Sequence, residues 1–168
     1  MNELSRIIAA EIGRNGPISM ARFMELALYC PDYGYYEQRS DSIGRKGDFQ
    51  TGVSVGPVFG GLIAAQCSWW LDKLSKGGCT EFSLVEAGAH DGQLALDILE
   101  WLQHERPDLM ERLHYILLES SEIRRNWQQA KLHRFGEQLQ WHSEFCHLSV
   151  QCPENDVRLA LPFALRLR

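Results

Sequence analysis

Two carboxylates beside a glycine-bearing turn, and a third at the end of the next apolar run, are the residues of this chain best placed to do chemistry. The first two lie in Glu86-Ala-Gly88-Ala-His90-Asp91-Gly92. This stretch follows the apolar run Phe82-Ser-Leu-Val85, which reads as a buried strand. It precedes Leu94, Ala95, Ile98, Leu99 and Leu102, an apolar set at helical spacing. Strand, glycine turn and helix make the first half of a βαβ unit. Glycine lets the backbone take positive φ or approach a ligand closely.

The dinucleotide fingerprint G-x-G-x-x-G is incomplete here, because only Gly88-x-x-x-Gly92 is present. Glu86 and Asp91 would also repel a pyrophosphate, which is itself anionic. A ligand with an ammonium and a sulfonium, and no phosphate, suits an acidic turn better; S-adenosylmethionine is such a ligand. An acid at the end of the next strand should then accept from its ribose hydroxyls, about 20 residues further on in dinucleotide folds. The next apolar run is Tyr115-Ile-Leu-Leu118 and it ends at Glu119. The longer interval is assigned to a loop over Gln103–Arg112. A purely structural strand-to-helix turn is the alternative.

The elements that must position these residues read as follows. Leu4, Ile7, Ile8 and Ile12 share one helical face, ended by Gly13 and Gly16-Pro17. Ser19 is the N-cap of a second helix, which Pro31-Asp-Tyr-Gly34 stops. Tyr35 and Tyr36 read as rings packed between surface and core. Residues 40–56 form a polar loop carrying Asp48, whose plain role would be to close a turn. Pro57 opens a long apolar helix whose Trp69 and Trp70 are expected in the core. Ser120 or Ser121 caps a helix bearing Ile123, Trp127, Ala130 and Leu132. Leu139–Phe145 suggests a third strand. Pro153-Glu-Asn-Asp reads as a loop, and Leu159–Arg168 as an apolar-basic tail.

Composition narrows the function classes. The chain has 168 residues, 45% hydrophobic and 23% charged, enough for an ordinary core. Net charge is −5 and no basic run occurs, which disfavours sequence-independent nucleic-acid binding. No stretch reaches transmembrane length, and no signal or transit peptide is evident. The five cysteines are scattered without a C-x-x-C, so reduced thiols and a cytoplasmic location are expected. His142, Cys146, His147 and Cys152 match no standard zinc spacing; no metal is expected.

Several segments together resemble the MidA family of class I S-adenosylmethionine-dependent methyltransferases. They are Gly16-Pro17-Ile18, Ala27–Tyr36 with its Gly34-Tyr35-Tyr36, Gly47-Asp48-Phe49-x-Thr51, Phe59-Gly60, Glu86-x-Gly88 with Gly92 and Leu94, and Glu119-Ser120. The resemblance covers about residues 15–148. Mitochondrial members act in respiratory complex I assembly as protein arginine methyltransferases. It implies that Glu86, Gly88 and Gly92 shape the cofactor pocket and that Glu119 holds the ribose. It further implies that Gly47, Phe49 and Thr51 cover the cofactor, with Asp48 as the polar group near a protein substrate.

This sequence departs from the family pattern at three points. His90 replaces the middle glycine of E-x-G-x-G-x-G, placing a side chain where backbone normally meets ligand. Ser54 replaces an acid. The chain is about half the family length, and N-E-x-x-D-A-x-P is only echoed in Asn155-Asp156 and Ala160-Leu-Pro162.

The expected fold is therefore α/β: a partial Rossmann-like class I methyltransferase domain with parallel strands, preceded by an N-terminal helical region. The expected division is residues 1–78, helical with the covering loop, and 79–168, the cofactor-binding half-domain. The implied function is S-adenosylmethionine-dependent methylation of protein arginine. Truncation would leave a chain that binds cofactor without turnover, with exposed strand edges. The alternative is a non-catalytic remnant that binds a protein; an NAD-linked oxidoreductase is disfavoured by the incomplete glycine motif.

Overall fold

The computed structural model of the chain describes residues 2–38, 52–143 and, for the backbone alone, 156–162. The chain divides into two compact units, residues 1–50 and 51–167. In the first, α1 (Glu3–Asn15) is capped by Asn2, whose side chain accepts from the Ser5 N–H. It runs through Gly13 and stops only at Gly16, where φ is +79°. Ser19 caps α2 (Met20–Tyr29) by accepting from the Arg22 N–H, as its residue type predicts. The Arg22 guanidinium forks onto both oxygens of Glu11 at 2.8 and 3.0 Å, joining α2 to α1. After the 31–34 turn, α3 (Tyr35–Gln38) brings Tyr36 against Tyr29 and edge-on to Tyr35.

The second unit contains the sheet. A 3-10 turn (Gly52–Val55) leads into α4 (Pro57–Lys76), then β1 (Glu81–Ala87) and α5 (Gln93–Glu105). The short α6 (Pro107–Met110) lies inside the segment assigned to a loop, started by Pro107. β2 (Leu113–Leu118), α7 (Glu122–Leu132), a 3-10 turn (His133–Gln138), β3 (Leu139–His142) and β4 (Asp156–Pro162) complete it. The strand order is β3-β2-β1-β4 and every pairing is parallel. The partial Rossmann-like fold expected from the sequence is thus present, with β1 and β2 adjacent and α5 between them in sequence. α7 is capped by Ser121, which accepts from the Arg124 N–H.

Parallel strands buried on both faces need two apolar sets. Phe82 and Leu84 of β1 and Leu113, Tyr115 and Leu117 of β2 join the large core formed with α4, α5 and α7. Val85, Ile116 and Leu118 are buried on the opposite face. Each fully buried aliphatic side chain among them contributes roughly 1.5–3 kcal/mol of burial free energy.

Two expectations are corrected. The segment read as loop and tail contains β4, which pairs with β1 from Glu81↔Asp156 to Ala87↔Pro162. β1 therefore has a partner on each side, not an exposed edge. Trp69 and Trp70 are not in the core: they are 52% and 38% exposed. The inward stripe of α4 is Gly60, Ala64, Cys67, Ser68 and Leu71, all small but Leu71, which brings the helix close to α5. That choice of face turns both tryptophans outward, and the Lys73 ammonium lies 3.8 Å from the Trp69 ring.

Candidate functional site

The turn after β1 is built from positive φ values. Gly88 is at +73°, His90 at +51° and Gly92 at +82°, where Gly92 precedes the first residue of α5. Three left-handed residues in five explain why glycine suits this stretch, and His90 is the one that takes the conformation with a side chain. A Cβ on Gly92 would come 3.3 Å from Leu132 Cδ1 and 3.4 Å from Gln128 Cγ, so the turn lies tightly on α7.

Asp91, the second acid of the turn, is engaged within the protein. Its Oδ1 accepts from the Gln93 N–H at 3.2 Å, and its Oδ2 pairs with the Lys131 ammonium of α7. Burial alone would raise its pKa, but the His90 ring and Lys131 outweigh it and hold the group below its ordinary value. The His90 ring stands 3.7 Å from Asp91 Oδ1 and beside the Trp127 ring of α7. The side chain that the sequence placed in ligand space is thus docked against α7.

Glu86 is 1% exposed and accepts from the Tyr115 hydroxyl at 2.7 Å. Burial raises its pKa to about 7, although the Tyr115 hydrogen bond opposes the rise; the Asp91 charge adds to it. Tyr115 is itself held well above its ordinary value by burial and by Glu86. A buried acid of this kind is poised to change charge near neutrality when a cation approaches.

Glu119 follows β2 directly and is 5% exposed. Its Oε1 accepts from the Ser121 N–H at 3.0 Å, its Oε2 from Gln128 Nε2 at 3.4 Å, and Arg124 Nη1 lies 3.9 Å from Oε2. A carboxylate offers about four lone-pair sites, enough for more than one partner on each oxygen. Glu86 pairs in register with Leu117, two residues before Glu119. The two acids therefore share one face of adjacent parallel strands, at their carboxyl ends. Strand spacing and rise put their Cα atoms roughly 8 Å apart. This end of an open parallel sheet is where ligands bind in doubly wound folds. Positive-φ backbone beside two acids on neighbouring strands fits a ligand with an ammonium and a ribose.

Gly47, Asp48, Phe49 and Thr51 are outside the described residues. The sequence did not single out Tyr115, Gln128, Lys131 or Asp97 for the site. Asp97 is 5% exposed; its Oδ1 accepts from Gln93 Nε2 at 2.7 Å, and its Oδ2 is buried without a hydrogen bond. It packs on α4 at Gly60, where an added Cβ would come 2.3 Å from Asp97 Cβ. Tyr115 could have been found by its position, two residues before Leu117 on the face of Glu86. No local signal marks the other three as inward-facing.

Residues 62–161 match the family described as "Putative S-adenosyl-L-methionine-dependent methyltransferase". A Drosophila melanogaster relative, the mitochondrial protein arginine methyltransferase NDUFAF7 homolog, is 35% identical over 114 residues, 67% of this chain and 25% of that protein. The human protein arginine methyltransferase NDUFAF7, mitochondrial, is 38% identical over 95 residues, 56% of this chain and 21% of its own length. The chain thus spans about a quarter of the length of these curated relatives. A crystal structure of a COG1565 superfamily member and likely methyl transferase from Burkholderia thailandensis, bound to S-adenosyl-homocysteine, superposes with a TM-score of 0.65. It is 26% identical, covering 84% of this chain and 37% of that one. The expectation of a cytoplasmic location does not stand, because the curated relatives are named as mitochondrial proteins. With more than half of its residues matched, the chain belongs to this family of S-adenosylmethionine-dependent methyltransferases, the MidA-like class whose motifs it carries.

Proposed function

We propose that the 51–167 unit binds S-adenosylmethionine through Glu86, Gly88, Gly92 and Glu119, in the service of methyl transfer to a protein arginine. The supporting observation is the pair of buried carboxylates, Glu86 and Glu119, on one face at the carboxyl ends of adjacent parallel strands. Glu86, ionised on binding, meets the methionine ammonium. Glu119 accepts from the two ribose hydroxyls, as its two oxygens allow. Gly88 and Gly92 give the turn its left-handed backbone, and Gly92 lets it lie close on α7, which sets the turn's backbone toward the ligand. The bound cofactor supplies an electrophilic methyl on a sulfonium; the protein's part is to bind, orient and exclude water. The arginine acceptor follows the names of the curated relatives. The roles given to Gly47, Asp48, Phe49 and Thr51 rest on the family resemblance alone.

A second reading, a non-catalytic domain that docks a protein, draws on exposed apolar side chains along α4: Val58, Leu62 and Trp69 at 74%, 65% and 52% exposure. Incubation with methyl-labelled S-adenosylmethionine and arginine-containing protein tests both. Labelled methylarginine supports the enzyme. Cofactor binding without any labelled acceptor supports the docking domain, and no cofactor binding contradicts the first reading.

A further inference from the structure

We propose that Gln128 is the positioning residue that holds the ribose acid and the glycine turn in a single geometry, so that the cofactor meets both at once. This inference rests on the cofactor reading above. Gln128 sits on the inward side of α7 and is 0% exposed. Its Nε2 donates to the His90 carbonyl oxygen at 2.9 Å and, at a longer 3.4 Å, to Glu119 Oε2. Its Oε1 accepts from Trp141 Nε1 on β3 at 2.9 Å. A primary amide has two N–H donors, so each oxygen can take its own hydrogen.

The arrangement joins three segments distant in sequence. The His90 carbonyl belongs to the left-handed turn after β1, Glu119 to the end of β2, and Trp141 to β3. The stem of Gln128 also lies against the backbone of Gly92. A fully buried glutamine loses rotamer freedom and hydration, so it keeps its place only while its amide is satisfied at both ends. Rotating the amide end for end would set its oxygen against the His90 carbonyl and the Glu119 carboxylate, and its NH₂ against the Trp141 N–H. Each of those contacts is repulsive, which leaves one orientation. Glu119 is thereby fixed at both oxygens, by Ser121 N–H on one side and by Gln128 on the other. A ligand that touches the acid and the turn finds both already in place, which is how preorganisation raises affinity.

The test is a double-mutant cycle on the 168-residue chain, read as S-adenosylhomocysteine affinity by calorimetry. Gln128→Met keeps the volume and removes both polar ends. It should weaken binding about tenfold with Glu119 present, and about threefold or less in the Glu119→Ala background. Thermal unfolding of each variant reports the fold separately, since a merely structural role lowers the midpoint without making the two affinity losses interdependent. If Gln128→Met does not fold, Gln128→Leu carries the same cycle, because it also removes both polar ends and sets no charge beside Glu119. Equal fold-losses in the two backgrounds overturn the positioning role while leaving the cofactor site intact. No binding by the unaltered chain overturns the cofactor reading and this inference with it.

Discussion

The Tyr115 hydroxyl donates to Glu86 Oε2 at 2.7 Å from the neighbouring strand, and both side chains are buried. Among the described residues, this bond is the one interaction that favours the ionised form of Glu86 against burial. Removing it leaves a buried carboxyl short of a donor, which typically costs about 1–3 kcal/mol. Tyr115→Phe should lower unfolding free energy by about that amount near pH 8, measured by urea titration. A loss below about 0.5 kcal/mol would mean that water replaces the hydroxyl.

Glu86 also sets a pH dependence. Its pKa rises from 4.5 unfolded to about 7 folded, so the native state holds the proton more tightly. Its contribution to stability is therefore greatest below pH 4.5 and is lost as pH climbs through 7. Asp97, also raised by burial, adds a slope of the same sign. Asp91, held low, acts in the opposite sense, losing its contribution only as pH falls below the ordinary carboxylate range. Glu86→Gln should flatten the decline in thermal midpoint between pH 4.5 and 7. It should also weaken S-adenosylmethionine binding by about tenfold, because the ammonium loses its counter-charge. An unchanged pH profile in the variant would remove Glu86 as the titrating group.

Gly60 is a packing prediction. An added Cβ would stand 2.3 Å from Asp97 Cβ, so α4 and α5 would have to separate. Gly60→Ala should cost about 1–3 kcal/mol of stability, and Gly60→Ala with Asp97→Gly should recover most of it. Additive losses in the double variant would show that the strain lies elsewhere in α4.

His90 carries a positive φ of 51° and a ring beside Trp127. His90→Gly relieves the backbone and removes the ring contact, two opposing effects of about 1 kcal/mol each. Stability should thus change by less than about 1 kcal/mol, and S-adenosylhomocysteine affinity by less than about threefold. Tightening of about tenfold or more would place the ring in the ligand's space after all.

The sheet was legible where local signals agree. Phe82–Val85, the glycines and the apolar set of α5 state strand, turn and helix in consecutive residues, and β1, α5 and β2 fall where those signals put them. β4 was not, because Arg158 interrupts a short run that ends in Pro162, and its strand character comes from pairing with β1 some 75 residues away (Glu81↔Asp156). The outward tryptophans of α4 were misread because a helix apolar on several sides does not declare its inner face; the small side chains opposite α5 decide it. Gln128 and Lys131 of α7 carry no local signal of an inward role. Their partners, His90, Glu119 and Asp91, are local to other elements, so only the folded chain brings them together. Glu119 was singled out because a strand end is where a ribose acid belongs in such folds, and it does follow β2 directly.

The central claim, that Glu86 and Glu119 frame a cofactor site, is tested most directly by calorimetric titration of S-adenosylhomocysteine into the 168-residue chain and its Glu119→Ala variant. The account predicts saturable one-to-one binding that the substitution weakens by about ten- to a hundredfold, roughly 1.4–3 kcal/mol, at a temperature where circular dichroism shows both proteins folded. Equal affinities for the two proteins, or no binding to either, would contradict it.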